Sequence, residues 1–271
     1  MRPVRGVRDL AVAATVVIAM SRFVDGQLAW LMAALIVAAV AFGALQVIGA
    51  AAPQGETTGI PIESVIPPAL AAVGGAGLLR IIPEGLLLIP ALAVIAWFVE
   101  RVATTEARLA RSANSPSAAD RSTVLVEALV AGFGAFVGIA AIAAGGLTLS
   151  SGGIPPTTAG PFERGALAVA DGLVAFLLAY RIAALRSSVA RDVAWMATTA
   201  AAVVTIASAL LRQVEIPGIL GPALLVLVLF LWDAIHGSPP ARRRDPRRLA
   251  ETALLVVLGV VVVAWSIGLR T

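Results

Sequence analysis

Nine long apolar stretches, separated by short polar or Gly/Pro-rich breaks, make up most of the chain. They run near 9–24, 28–51, 65–82, 84–100, 122–147, 164–185, 192–211, 217–235 and 248–268. A helix of about 20 mostly apolar residues crosses the hydrocarbon core of a bilayer, and most of these stretches approach that length. Period-2 alternation is absent, which argues against a barrel built from alternating segments of about ten residues. The pattern predicts an all-α fold: one integral membrane domain over 1–271, a polytopic transmembrane helix bundle with seven to nine spanning helices.

Turn chemistry marks the breaks. Asp25-Gly26 follows the first stretch, Ala52-Pro53-Gln54-Gly55 the second, and Pro83 divides the third from the fourth. Ser112–Pro116, Gly152–Pro156, Pro217-Gly218 and Gly237–Pro240 punctuate the rest. Two stretches are ambiguous. The first holds only Leu10 to Ser21 free of charge. It spans if Arg8 and Arg22 snorkel to opposite faces, and otherwise it reads as a signal peptide ending at Ala19-Met20-Ser21. The third carries Pro67-Pro68, then Gly74, Gly75, Gly77 and Arg80, which suggests a broken or re-entrant helix.

The arginines set an orientation. With the N-terminus in the cytoplasm and nine spans, fifteen of the 20 basic residues fall on the cytoplasmic side and five on the other. That bias is what the positive-inside rule expects. A seven-span arrangement, in which the first and third stretches fail to cross, keeps the rest of the orientation.

Composition agrees and narrows the chemistry. The chain is 59% hydrophobic and 13% charged, against about 45–50% and about 25% for a soluble domain. A soluble enzyme and a nucleic-acid-binding domain are excluded. With no cysteine there is no disulfide, thiolate nucleophile or iron–sulfur cluster. Every basic residue is Arg, so no lysine can form a Schiff base. The one histidine, His236, cannot build a zincin site, and no P-loop is present. No metal or cofactor is expected, and enzymatic activity is less expected than a non-enzymatic role.

Charges inside the apolar stretches carry the candidate chemistry, because a charge at mid-bilayer costs about 2.5–3.5 kcal/mol on the insertion scale. Asp171 lies seven residues past Arg164. It is either a coupling site needing a partner from another helix, or the N-cap of a helix that starts late. Glu127 lies six residues past Arg121. It is either a buried carboxylate facing a cavity or a first-turn acid favoured by the helix dipole. Arg80 is either an anion- or headgroup-binding residue or an interfacial partner of Glu84. The run Arg242, Arg243, Arg244, Arg247 and Arg248 is a candidate site for anionic lipid headgroups at the cytoplasmic face, or only a topology signal. Gly134 and Gly138 form a GxxxG pattern, more suited to packing within the chain than to dimerisation.

The expected partners are the lipid bilayer, anionic lipid and other membrane proteins; nucleic acid is not among them. The expected location is a prokaryotic inner or plasma membrane. The favoured function is a small permease or channel-like transporter using membrane-embedded carboxylates. The alternatives are a structural or assembly subunit of a larger membrane complex, and a lipid-modifying enzyme at the cytoplasmic interface.

Overall fold

The computed structural model describes residues 5–51, 62–83, 85–112, 115–143, 160–214, 219–237 and 246–268. Among them are nine α-helices and no strand: α1 (Arg5–Ser21), α2 (Gln27–Ala51), α3 (Ile66–Ile81), α4 (Leu88–Arg111), α5 (Ala118–Ala143), α6 (Pro161–Ala184), α7 (Ala190–Gln213), α8 (Leu220–His236) and α9 (Pro246–Gly268). A 3-10 turn, Ile62–Val65, leads into α3. Six helices are long and apolar enough to cross a membrane: α2, the turn with α3, α4, α5, α6 and α7. Two shorter apolar segments lie in α8 and α9. The chain is therefore a multi-pass integral membrane helix bundle.

Local chemistry explains several boundaries. Ser117 and Asp120 cap α5 reciprocally: the Asp120 amide donates to Ser117 Oγ (3.1 Å), and the Ser117 amide donates to Asp120 Oδ2 (3.1 Å). This satisfies amides that the first turn leaves unpaired. Pro161 and Pro67 open α6 and α3, where their missing N–H costs nothing. Gly26 (φ 64°) and Gly85 (φ 132°) take the left-handed backbone that the α1–α2 and α3–α4 turns require.

The third apolar stretch is not broken. Its two prolines sit in the first turn of α3, and its glycines lie within a continuous helix. Gly74, Gly75, Gly77, Leu70, Ala72 and Leu79 are all buried, which makes α3 the central helix, with α1, α2, α4 and α5 around it. Gly74 and Gly77 of α3 lie against Gly134 and Gly138 of α5. A Cβ on Gly134 would lie 2.6 Å from the Gly74 carbonyl oxygen, so only glycine allows this approach. The GxxxG pattern thus packs within the chain.

The first stretch is part of the same bundle, with Val7, Ala11, Ala14 and Ile18 of α1 buried. Its C-terminus meets that of α3. Arg22 donates to the Leu79 and Ile82 carbonyls, and Arg80 donates to the Ser21 (2.8 Å) and Val24 (2.6 Å) carbonyls. Each arginine thus adds a donor to carbonyls at the C-terminal end of the other helix. Arg22 therefore turns inward rather than snorkelling. At the opposite end, ion pairs join the C-termini of α4, α6 and α8. These junctions set α1 running the same way as α3, and α4 the same way as α6 and α8.

Candidate functional site

The arginine-rich end holds a ladder of charges. Arg181 of α6 grips Glu106 of α4 in bidentate fashion, Nε to Oε1 at 3.1 Å and Nη2 to Oε2 at 2.5 Å, with side chains only 6% and 1% exposed. Arg186 forms a second fork with Asp233 of α8, at 2.5 and 2.9 Å. Asp233 and Trp232 are both buried, and His236 stacks on Trp232 with ring centroids 4.9 Å apart. Trp232 and Asp233 are therefore packed into the joint between α6 and α8, while His236, at the end of α8, is exposed.

Glu127 sits nine residues past the start of α5, not in its first turn, and is buried. Its Oε1 accepts a hydrogen bond from the Thr105 hydroxyl (3.0 Å) and faces Arg101 Nε at 3.3 Å. Both partners also line a polar pocket of about 430 Å³ between α4 and α5, with Trp97, Glu100, Thr104, Arg108 and Thr123. Arg101 also lies 5.7 Å from the centre of the Trp97 ring, a cation–π contact. The buried carboxylate thus stands directly behind the wall of a solvent-open pocket.

Asp171 lies mid-helix, ten residues past Pro161, and is fully buried, so α6 does not start late and Asp171 is not an N-cap. Its partners come from α7. Arg212 Nη2 and the Ser208 hydroxyl both donate to Oδ2 at 2.6 Å, and Arg212 Nε donates to Ser208 Oγ at 3.1 Å. Arg212 points back along its own helix, as helical side chains do, instead of reaching for water. Oδ1 of Asp171 is buried and accepts no hydrogen bond among the described residues. An acceptor left without a partner in a low-dielectric site is costly, which makes this oxygen the least satisfied polar atom described.

The three sequence candidates therefore occupy separate places. Glu127 belongs to the arginine-rich half, Asp171 to the opposite half of the α6–α7 seam, and Arg80 to the α1–α3 joint, where it also faces Asp25 at 3.4 Å. Glu84, the partner first considered for Arg80, lies outside the described residues, as do Arg242, Arg243 and Arg244. Arg247 and Arg248 fall in the first turn of α9, and their side chains are outside the described ones.

Sequence reasoning missed Glu106 and Arg181. The apolar pattern ends the fourth stretch near Glu100, where charges begin, yet α4 continues to Arg111. The signal was present: Glu100, Arg101, Thr104, Thr105 and Arg108 recur with helical spacing. Among the described residues no group of three or more His, Asp or Glu could hold a metal ion.

No protein-family model matches the chain, and neither the characterised proteins nor the solved structures include a detectable match. The fold and these polar groups define a class, a multi-pass membrane helix bundle with carboxylates buried at interhelical seams.

Proposed function

We propose that the protein is a small permease, with Glu127 the group that meets solute or proton from the arginine-rich, cytoplasmic face. The observation that carries this is the placement of Glu127 behind the polar pocket, held by Thr105 and Arg101, which themselves line it. A carboxylate kept in the apolar part of a bundle is expensive, and one within a side chain's width of solvent can exchange a proton or bind a cation. Asp171, with one bare oxygen in the other half of the bundle, supplies a second such group. Alternate exposure of the two carboxylates gives a permease its two access states.

A structural or assembly subunit is the second reading. It is favoured by α9, which packs chiefly on α8 at the edge and leaves Leu254, Val257, Leu258 and Val260 exposed.

The test is reconstitution into liposomes on a solid-supported membrane, with currents recorded on addition of amino acids, small carboxylates, sugars, phosphate and monovalent cations. At least one solute should evoke a current absent from empty liposomes, lowered more than tenfold by Glu127→Gln in folded protein. Silence across the panel, or an equal current in the variant, overturns the permease reading.

A further inference from the structure

Trp97, Glu100, Arg101, Thr104, Thr105 and Arg108 recur every three or four residues on α4, so they share one side of that helix. Thr123 of α5 closes the polar pocket they line, with Glu127 four residues on behind its wall. The space, about 430 Å³, suits one small molecule.

The hydroxyls of this pocket are all turned into its walls. Thr104 donates to the Glu100 backbone carbonyl (2.7 Å), Thr123 to the Ala119 carbonyl (2.9 Å) and Thr105 to Glu127 Oε1 (3.0 Å). A hydroxyl has one proton and two lone pairs. Each threonine has already placed its proton, so what it offers a solute is an acceptor. Glu100 adds a carboxylate, which only accepts. Both contacts to Glu127 fall on Oε1, and no described residue donates to its Oε2.

The charges lean the same way. Arg101 lies 3.3 Å from Glu127 and Arg108 lies 3.1 Å from Asp120, so each arginine has its own carboxylate. Glu100 has no ion-pair partner among the described residues, which leaves three carboxylates against two arginines around the pocket. An anion therefore meets an excess of its own sign. The Trp97 ring supplies a flat apolar wall compatible with a nearby cation, since Arg101 already lies 5.7 Å from its centre. A metal ion would leave that wall unused, and a quaternary ammonium would leave the acceptors unmatched. A protonated primary amine brings one positive charge, three N–H donors and an alkyl stem.

We infer that the pocket between α4 and α5 takes a small alkylammonium ion, with its charge at Glu100, its N–H groups on the threonine oxygens and its stem against Trp97. As the transported solute, the amine rests on the permease reading of Glu127; its binding does not, and is read without flux.

Isothermal titration calorimetry of the full chain in detergent tests it at neutral pH, where an alkyl amine is charged. The probes are n-butylammonium, tetramethylammonium, potassium and butyrate. Butylammonium should bind one per chain and at least tenfold more tightly than each of the other three. Glu100→Gln, at a half-buried position and with no change of size, should weaken butylammonium binding at least tenfold. Arg108→Gln, on an exposed side chain, is the second variant. Removing a positive charge there should tighten butylammonium binding, where a site for anions would lose affinity for butyrate. Butyrate or tetramethylammonium binding as tightly as butylammonium, unchanged binding in Glu100→Gln, or weaker binding in Arg108→Gln overturns the inference. A liposome current evoked by another solute, with no butylammonium bound, overturns it and leaves the permease standing. Butylammonium bound as expected, with no current from any solute, supports the site and removes the permease.

Discussion

The bundle contains two close helix pairs that solve one packing problem with different chemistry. In α3–α5 the backbones approach through Gly74, Gly77, Gly134 and Gly138, with no polar side chain between them. In α6–α7 the approach is made at Gly172, against Ala201 and Thr205, and a carboxylate is sealed one position away. Without water on either side of the comparison, dispersion and backbone proximity suffice to hold two helices in lipid. The glycine seam shows that this bundle does not need a charge for tight packing. Asp171, Ser208 and Arg212 are therefore an added feature of the second seam, and a costly one, since a buried ion pair is often no more stable than apolar residues of the same volume.

The largest effect tests that cost. Arg212→Met leaves Asp171 buried with only Ser208 as a partner, and should destabilise the protein by about 3–5 kcal/mol. Asp171→Leu combined with Arg212→Met removes both charges and should recover most of the loss. Thermal unfolding in detergent, followed by circular dichroism, measures both. A double variant as unstable as the single one would make the pair a structural requirement and remove the contrast between the seams.

Much of this fold is legible in the sequence because lipid enforces it. Every backbone group in the core must pair within its own segment, so long apolar runs can only be helices. Capping by Ser117 and turns at Gly26 and Gly85 are local events and follow from residue type. The pairing of charges is not local. Asp171 and Arg212 are far apart in sequence, as are Glu106 and Arg181, and nothing in either helix alone names its partner. The break expected in the third stretch failed for a related reason. Glycines that loosen an isolated helix also let another backbone come close, and only α5 decides between the two.

The next effect concerns the glycine seam. In Gly134→Ala the new methyl lies 2.6 Å from the Gly74 carbonyl oxygen and 2.8 Å from the Gly74 Cα. Both are backbone atoms, so relief requires α3 and α5 to separate along buried Ala131, Ala135 and Ala72. Such overpacking costs about 1–3 kcal/mol, even after the gain of about 1 kcal/mol from replacing a helical glycine by alanine. The same unfolding measurement should show the loss, and an unchanged midpoint would mean that the seam is looser than its geometry.

The smallest effect is the same substitution in the other seam. In Gly172→Ala the nearest atom is the Thr205 hydroxyl oxygen, followed by the Ala201 carbonyl at 3.2 Å. The first obstacle is a side-chain end on a half-buried residue. Threonine in a helix has two accessible χ1 rotamers, so the hydroxyl can swing aside. The second is a contact that a few tenths of an ångström relieves. Helix propensity again favours alanine by about 1 kcal/mol, so the net change should stay within about 1 kcal/mol of zero. The ratio between the two alanine variants is therefore the informative quantity. A Gly172→Ala loss equal to that of Gly134→Ala would mean that Thr205 cannot turn, and that the α6–α7 seam holds Asp171 and Arg212 in a frame as rigid as the glycine contact itself.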